Sequence, residues 1–295
     1  METILSISNI SKAYGPVQAL RSVSFAVPSG SVYGVLGPNG SGKTTLLGIL
    51  LNVLVADEGS YSWFGNMAPE LARRQIGSLL ETPNFYHYMT AVDNLKISAA
   101  IKQRGADDIE RVLRIVGLWE RRNSKFQTYS LGMKQRLAIA SALLGGPKAL
   151  VLDEPTNGLD PAGIAEIREL IRKLNSEGIT IIIASHLLDE VEKVCTHVAI
   201  LKKGELLLNG KVDEVLHSED RIEVKSADMA ALQQIASRIP GVEKVVCADG
   251  YCYLTIKDGV LASEVNRYCH EEGLTLSHLV LKKKSLESKF MELTN

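Results

Sequence analysis

The stretch GPNGSGKTT, from Gly37 to Thr45, follows a short apolar run and precedes the apolar run LLGILLNVLV. Glycines spaced this way let a chain turn its amides inward around phosphate oxygens, and a helix starting at Lys43 adds a favourable dipole. Lys43 is placed to reach the β- and γ-phosphates of a nucleotide, and the Thr44 hydroxyl to ligate Mg²⁺. Gly37, Pro38, Asn39, Gly40, Ser41, Gly42, Lys43, Thr44 and Thr45 are therefore assigned to nucleotide binding. A triphosphate held this way needs a second metal anchor and a group that directs water. ALVLDEP supplies both, with Asp153 for the metal and Glu154 for the water. TIIIASH ends a further apolar run at His186, where a ring N–H can donate to the γ-phosphate. Alone, that histidine reads rather as a capping or core residue; the other ligand-bearing strand ends favour the phosphate contact.

Such residues need strands that end together. ALVLDEP and TIIIASH alternate with amphipathic segments such as AEIRELIRKLNSEG, the pattern of a parallel sheet covered on both faces. Residues 1–33 alternate apolar and polar, which predicts antiparallel strands, and residues 81–145 are mostly helical by spacing. After a break at HSED, residues 217–220, the order is strand, helix, hairpin, helix, strand. That order predicts a small ferredoxin-like α+β domain. The domains are set at 1–217 and 218–295.

Taken together, these motifs resemble those of the ATP-binding-cassette (ABC) ATPases over residues 1 to about 215. The resemblance implies an α/β P-loop NTPase fold with a mixed sheet core, an antiparallel β subdomain and a helical subdomain. It also implies ATP and Mg²⁺ as cofactors. YSLGMKQ stands at the family's LSGGQ signature: Ser130 and Gly132 match, while Leu131 and Lys134 are read as replacing a glycine and the glutamine. Without the other motifs Ser130 would be only a helix cap. In the family, the signature of one subunit closes over ATP held by another. Asp160 in NGLDP would cross that interface, and Tyr14 in SKAYG matches the aromatic that stacks on adenine, unless it is a half-buried strand tyrosine.

The family's strand before the helical subdomain normally ends in a glutamine that contacts Mg²⁺ or its water. Here the residue is Glu81, whose charge is expected to strengthen a metal contact. LLETPNFYHYMTAVDNL resembles the same segment in cassettes of bacitracin-type and lantibiotic-protection exporters. Phe85, Tyr86 and Tyr88 read either as a groove for a membrane partner's helix or as packing inside the helical subdomain. In LKKKSLESKFMELT, Leu286, Phe290 and Leu293 share one helical face.

The implied partners are an integral-membrane permease on a separate chain and a second copy of this chain or a homologous cassette. The expected location is cytoplasmic, on the inner membrane face through that permease. A soluble non-transport ABC ATPase and a nucleotide-gated scaffold are the alternatives. Lys+Arg 33 against Asp+Glu 34 gives a net charge of −1, which argues against a nucleic-acid partner. The apolar stretches at 46–55 and 179–184 are too short to span a bilayer. The four cysteines lack metal-ligand spacing. Cys247 and Cys252 flank a two-residue turn that sets their sulfurs opposite each other, yet free thiols are expected in a reducing cytosol.

Overall fold

In the computed structural model, residues 2–65, 67–80, 84–217, 221–257 and 259–282 are described, with Leu286 and Phe290. The chain divides into two compact units, Met1–Gly210 and Lys211–Asn295.

The first unit begins with β1 (Thr3–Tyr14) and β2 (Val17–Pro28), which pair antiparallel. Next come β3 (Val32–Leu36), α1 (Lys43–Leu50) and β4 (Glu58–Trp63), and β4 pairs with the other edge of β1. After α2 (Pro69–Arg74) and β5 (Ile76–Leu79) the chain enters three helices, α3 (Ala91–Lys102), α4 (Ile109–Ile115) and α5 (Leu131–Leu143). It then alternates through β6 (Ala149–Asp153), α6 (Pro161–Ser176), β7 (Thr180–Ser185), α7 (Leu188–Glu192), β8 (His197–Lys202) and β9 (Glu205–Lys211).

The central sheet has the order β5-β6-β7-β3-β8-β9, and its pairs from β5 through β8 are parallel. The two-residue turn Lys203-Gly204 adds β9, and a link so short joins antiparallel neighbours. Every residue of β3, β6 and β7 is buried, so their unbroken apolar runs reflect cover on both faces. Helix α1 is wedged between the two sheets: Leu46, Leu47, Ile49 and Leu50 share one core with Leu5, Ile10 and Val27 of the antiparallel sheet and Val151 and Ile182 of the central one. The helices α3, α4 and α5 pack on one another, and α5 lies on β5. This is the expected P-loop architecture with its mixed sheet, antiparallel subdomain and helical subdomain.

The second unit contains α8 (Val212–His217), β10 (Arg221–Ser226), α9 (Met229–Ala236), β11 (Val242–Ala248), β12 (Tyr251–Ile256), α10 (Ala262–Glu271) and β13 (Leu276–Lys282). Its antiparallel sheet, ordered β11-β12-β10-β13, is the ferredoxin-like arrangement read from the sequence. Ile222, Val224, Leu232, Cys252, Leu254, Val265 and Cys269 form its core. Asp249 and Gly250 both take positive φ, as the predicted turn requires. That turn places Cys247 opposite Cys252, and the two form a disulfide. The expectation of free thiols is corrected here: cross-strand geometry brings the sulfurs together whatever the compartment. Cys195 and Cys269 are free and buried. Leu286 is buried, whereas Leu293 lies outside the described residues. Among the described residues, no helix is long and apolar enough to cross a membrane.

Candidate nucleotide site

Three adjacent strands, β6, β7 and β3, bring their carboxyl ends to one edge of the central sheet. The loop from Gly37 to Gly42 leaves β3 there and turns directly into α1. Two of its glycines are required by space as well as by backbone angle. A Cβ on Gly37 would stand 2.3 Å from the Leu201 carbonyl oxygen, and one on Gly42 would stand 2.5 Å from that of Ala19. Gly42, at φ 105°, is the residue before α1 and supplies no side-chain cap. The first-turn N–H groups of α1 are thus donors suited to a phosphate. The Ser41 hydroxyl, 1% exposed, has no hydrogen-bond partner among the described residues, which also suits a ligand with oxygen acceptors.

Lys43 is 6% exposed, and its ammonium donates to the carbonyls of Gly37 at 2.8 Å and Pro38 at 3.3 Å. It also lies 3.5 Å from Glu154 Oε1. From β6, Asp153 accepts a 3.0 Å hydrogen bond from the Thr44 hydroxyl. A hydroxyl and a carboxylate held side by side beneath a phosphate loop are hard oxygen ligands suited to Mg²⁺. Glu154 has φ 47°, a left-handed conformation that costs a non-glycine residue about 1–3 kcal/mol. Its N–H donates to Ala184 O at 2.9 Å, and its carbonyl accepts from Asn157 N at 3.1 Å, which fixes the turn. His186 completes the group, with Nδ1 2.9 Å from Glu154 Oε2 and its backbone N–H 3.4 Å from the same oxygen. The structure therefore assembles Lys43, Thr44, Asp153, Glu154 and His186 in one place.

Among the described residues, Tyr14, Ser130 and Asp160 make no hydrogen bond or ion pair with that cluster. Tyr14 is exposed at the β1–β2 turn with the Lys12 ammonium 5.6 Å from its ring centroid. Its hairpin flanks the phosphate loop, since Ala19 of β2 lies against Gly42. Ser130 is the N-cap of α5 and accepts from Met133 N at 3.3 Å. Asp160 caps α6, accepting from Gly163 N at 2.9 Å. The two caps belong to touching loops: a Cβ on Gly158 would meet the Leu131 side chain at 3.2 Å, and one on Gly132 would meet Leu159 at 3.9 Å. Sequence reasoning missed this Leu131–Gly158 contact, although a leucine at a glycine position was a signal that something must receive it. The register of α5 also corrects one reading. Counting from Ser130, Met133 takes the place of the signature glutamine; Lys134 is the next residue and lies 5.4 Å from the Phe126 ring centroid. Glu81 lies outside the described residues.

Phe85 and its neighbours divide between the two roles considered for them. Phe85 packs inward, edge-on to Phe126 at 5.2 Å, while Tyr86 and Tyr88 are exposed, 6.1 Å apart. Buried Asn94 fixes this segment through hydrogen bonds to both Tyr86 N and Tyr86 O. A groove of about 330 Å³ runs between Phe85, Tyr86, Ile97 and Ile101.

Comparison with known proteins identifies the family. Residues 20–157 match the family model described as ABC transporter. The chain is 35% identical to the bacitracin transport ATP-binding protein BcrA of Enterococcus faecalis, across 99% of this chain and 97% of that protein. It is 40% identical to the lantibiotic transport ATP-binding protein SrtF of Streptococcus pyogenes, across 71% of this chain and 92% of that protein. Among solved structures, it is similar to a dimeric post-hydrolysis state of an ATP-binding cassette bound to ADP and Pi. There the TM-score is 0.62 at 27% identity, covering 71% of this chain and 99% of that one.

Proposed function

This chain belongs to the ABC transporter family as an ATP-binding, ATP-hydrolysing subunit, and from that premise we propose that two such cassettes close around ATP to drive a separate integral-membrane permease. The permease would hold the subunit at the inner face of the membrane. Export of, or resistance to, a bacitracin- or lantibiotic-like peptide antibiotic is the substrate reading, supported by likeness to BcrA and SrtF over most of their lengths.

The observation that carries the mechanism is the contact of Glu154 with both Lys43 and His186. In our reading the Lys43 ammonium leaves the Gly37 and Pro38 carbonyls for the β- and γ-phosphate oxygens. Glu154 then loses a cationic neighbour and is left as an acceptor for a water proton. That water's oxygen bonds to the γ-phosphorus as the bond to the bridging oxygen breaks, giving ADP and phosphate. His186 is placed by the contact of Nδ1 with Glu154, and the ring N–H that serves this carboxylate in the resting site would turn to the γ-phosphate when ATP is bound. Thr44 and Asp153, with Glu81, would hold Mg²⁺, which supplies neutralising charge for the phosphates. Ser130, Gly132 and Asp160 would complete the partner's site, and Tyr14 would stack on adenine. The exposed Tyr86 and Tyr88 and the adjoining groove would receive a helix of the permease.

The test is phosphate release by the full chain with ATP and Mg²⁺, together with affinity capture from detergent-solubilised membranes. Glu154→Gln should retain ATP binding and lose hydrolysis by roughly 10²-fold or more, as expected for removal of a general base. Recovery of an integral-membrane partner supports the transporter reading; robust hydrolysis with no membrane partner would favour a soluble ATPase instead.

A further inference from the structure

A second, basic pocket lies at the other end of the central sheet. It is about 440 Å³ in volume and is lined by Glu70, Arg73, Arg74, Ile76, Lys102 and Arg104. Ile76 is the first residue of β5 and pairs with Ala149, the first of β6, whereas the nucleotide site gathers beyond Asp153, the last. The two sites are therefore separated by the length of the strands.

Its lining sets four cations against one carboxylate. Several other cations on this unit are matched: Arg111 with Asp108, Arg114 with Glu110, Arg172 with Glu169, Lys193 with Asp189. Among the described residues, no ion pair joins Arg73, Arg74 or Arg104 to a carboxylate. Instead the cations oppose one another. Burial, and then the charge of Arg104, push the Lys102 ammonium down to about 8. Burial, and then the charge of Arg74, lower Arg104.

Two of the four cations are held in place by their surroundings. Lys102 donates to the Ser141 and Ala142 carbonyls at the end of α5, at 2.5 and 3.4 Å. The Arg104 stem runs across Gly145, where a Cβ would come within 2.8 Å of its Cδ and Nε. Uncompensated guanidiniums around a concavity are the arrangement that takes a tetrahedral oxyanion, each fork bonding two of its oxygens.

We propose that the pocket between α2, the start of β5 and the end of α3 binds a phosphate group, with Arg74 and Arg104 as its principal donors and Lys102 as the fixed positive base. The same chemistry is offered by a phospholipid headgroup and by a free phosphate, so the experiment has two arms. The full chain is saturated with Mg-ADP to fill the loop at Gly37–Thr45. It is then floated with vesicles of phosphatidylcholine, with or without about one part in three of phosphatidylglycerol, and separately titrated with inorganic phosphate by calorimetry. The comparison protein is Arg74→Gln/Arg104→Gln, which removes both guanidiniums and leaves the hydrogen bonds from Lys102 to α5 in place; its melting curve and ATPase rate should match the parent.

The expected result is binding that weakens by about tenfold or more in the double variant, the loss of at least one charge-assisted hydrogen bond. A loss confined to phosphatidylglycerol vesicles assigns the lipid headgroup, and a loss in the phosphate titration assigns the free anion. Equal binding by parent and variant in both arms, or no binding by the parent in either, overturns the proposal.

Discussion

Glu154 occupies a backbone conformation that few residues tolerate, and its carboxylate bridges Lys43 and His186. Strain of this kind persists when the surroundings over-determine it, here through Ala184 O and Asn157 N. His186→Ala should remove the orienting contact without touching the phosphate loop. We expect kcat to fall by roughly 10²-fold or more with KM for ATP little changed, measured by steady-state phosphate release; an equal rise in KM would instead place His186 in ground-state binding. The residue types at this site were legible in the sequence because phosphate binding, metal binding and water activation each demand a particular chemistry after a buried strand. What the sequence could not show is that Lys43 points back at Gly37 and Pro38 and meets Glu154, since residues 111 positions apart meet only through the sheet. The role of Glu81 is likewise a question for experiment. Glu81→Gln restores the family's neutral ligand, and we propose a measurable change in the Mg²⁺ dependence of hydrolysis; identical Mg²⁺ curves would leave Glu81 without a metal role.

Among the elements, α5 couples the signature to the strand that leads toward Glu81. It can lie on β5 because Gly77 has no side chain: a Cβ there would stand 2.2 Å from the Ala142 carbonyl oxygen. Gly77→Ala must displace the helix that Ser130 caps. The expected cost is about 1–3 kcal/mol, as for other overpacked sites, read as a lowered denaturation midpoint together with reduced ATPase activity. A second tie crosses the same region. Asp108 accepts from the Arg111 guanidinium and from Gly145 N at 3.1 Å, joining the start of α4 to the chain beyond α5. The Arg111 hydrogen bond, foremost, holds the Asp108 carboxyl below the usual aspartate range. A carboxyl depressed in the folded state stabilises at pH above its unfolded value, and that stability is lost as pH falls through the folded one. Asp108→Asn should therefore cost about 1 kcal/mol at neutral pH once solvent screening is allowed for. The gap between the two proteins should close in acid unfolding experiments. The helices were legible from their apolar spacing, but these two ties join residues tens of positions apart and leave no local pattern. The slip from Met133 to Lys134 has a different origin, since three residues counted on from Ser130 reach Met133 in the sequence itself.

For the whole molecule, strand and helix order conveyed both folds: the central strands β3, β6 and β7 are unbroken apolar runs, whereas a strand of the second unit such as β12 alternates buried and half-buried residues. The Cys247–Cys252 bond was not conveyed: the turn set the sulfurs opposite, but the assumed compartment decided against them. Denatured without reductant, the full chain should show two reactive thiols, Cys195 and Cys269, and four after reduction. Four before reduction would mean that the pair is open in solution. We propose that two copies of this molecule act together: the Ser130 and Asp160 caps sit on touching segments that make no bond to Lys43 and would act on a neighbour's nucleotide. Light scattering on Glu154→Gln, with and without saturating ATP and Mg²⁺, tests this most directly. The expected result is a single chain without nucleotide and a stable pair of chains with ATP, dispersing when ATP is exchanged for ADP. A protein that binds ATP fully and remains a single chain at every concentration would contradict it.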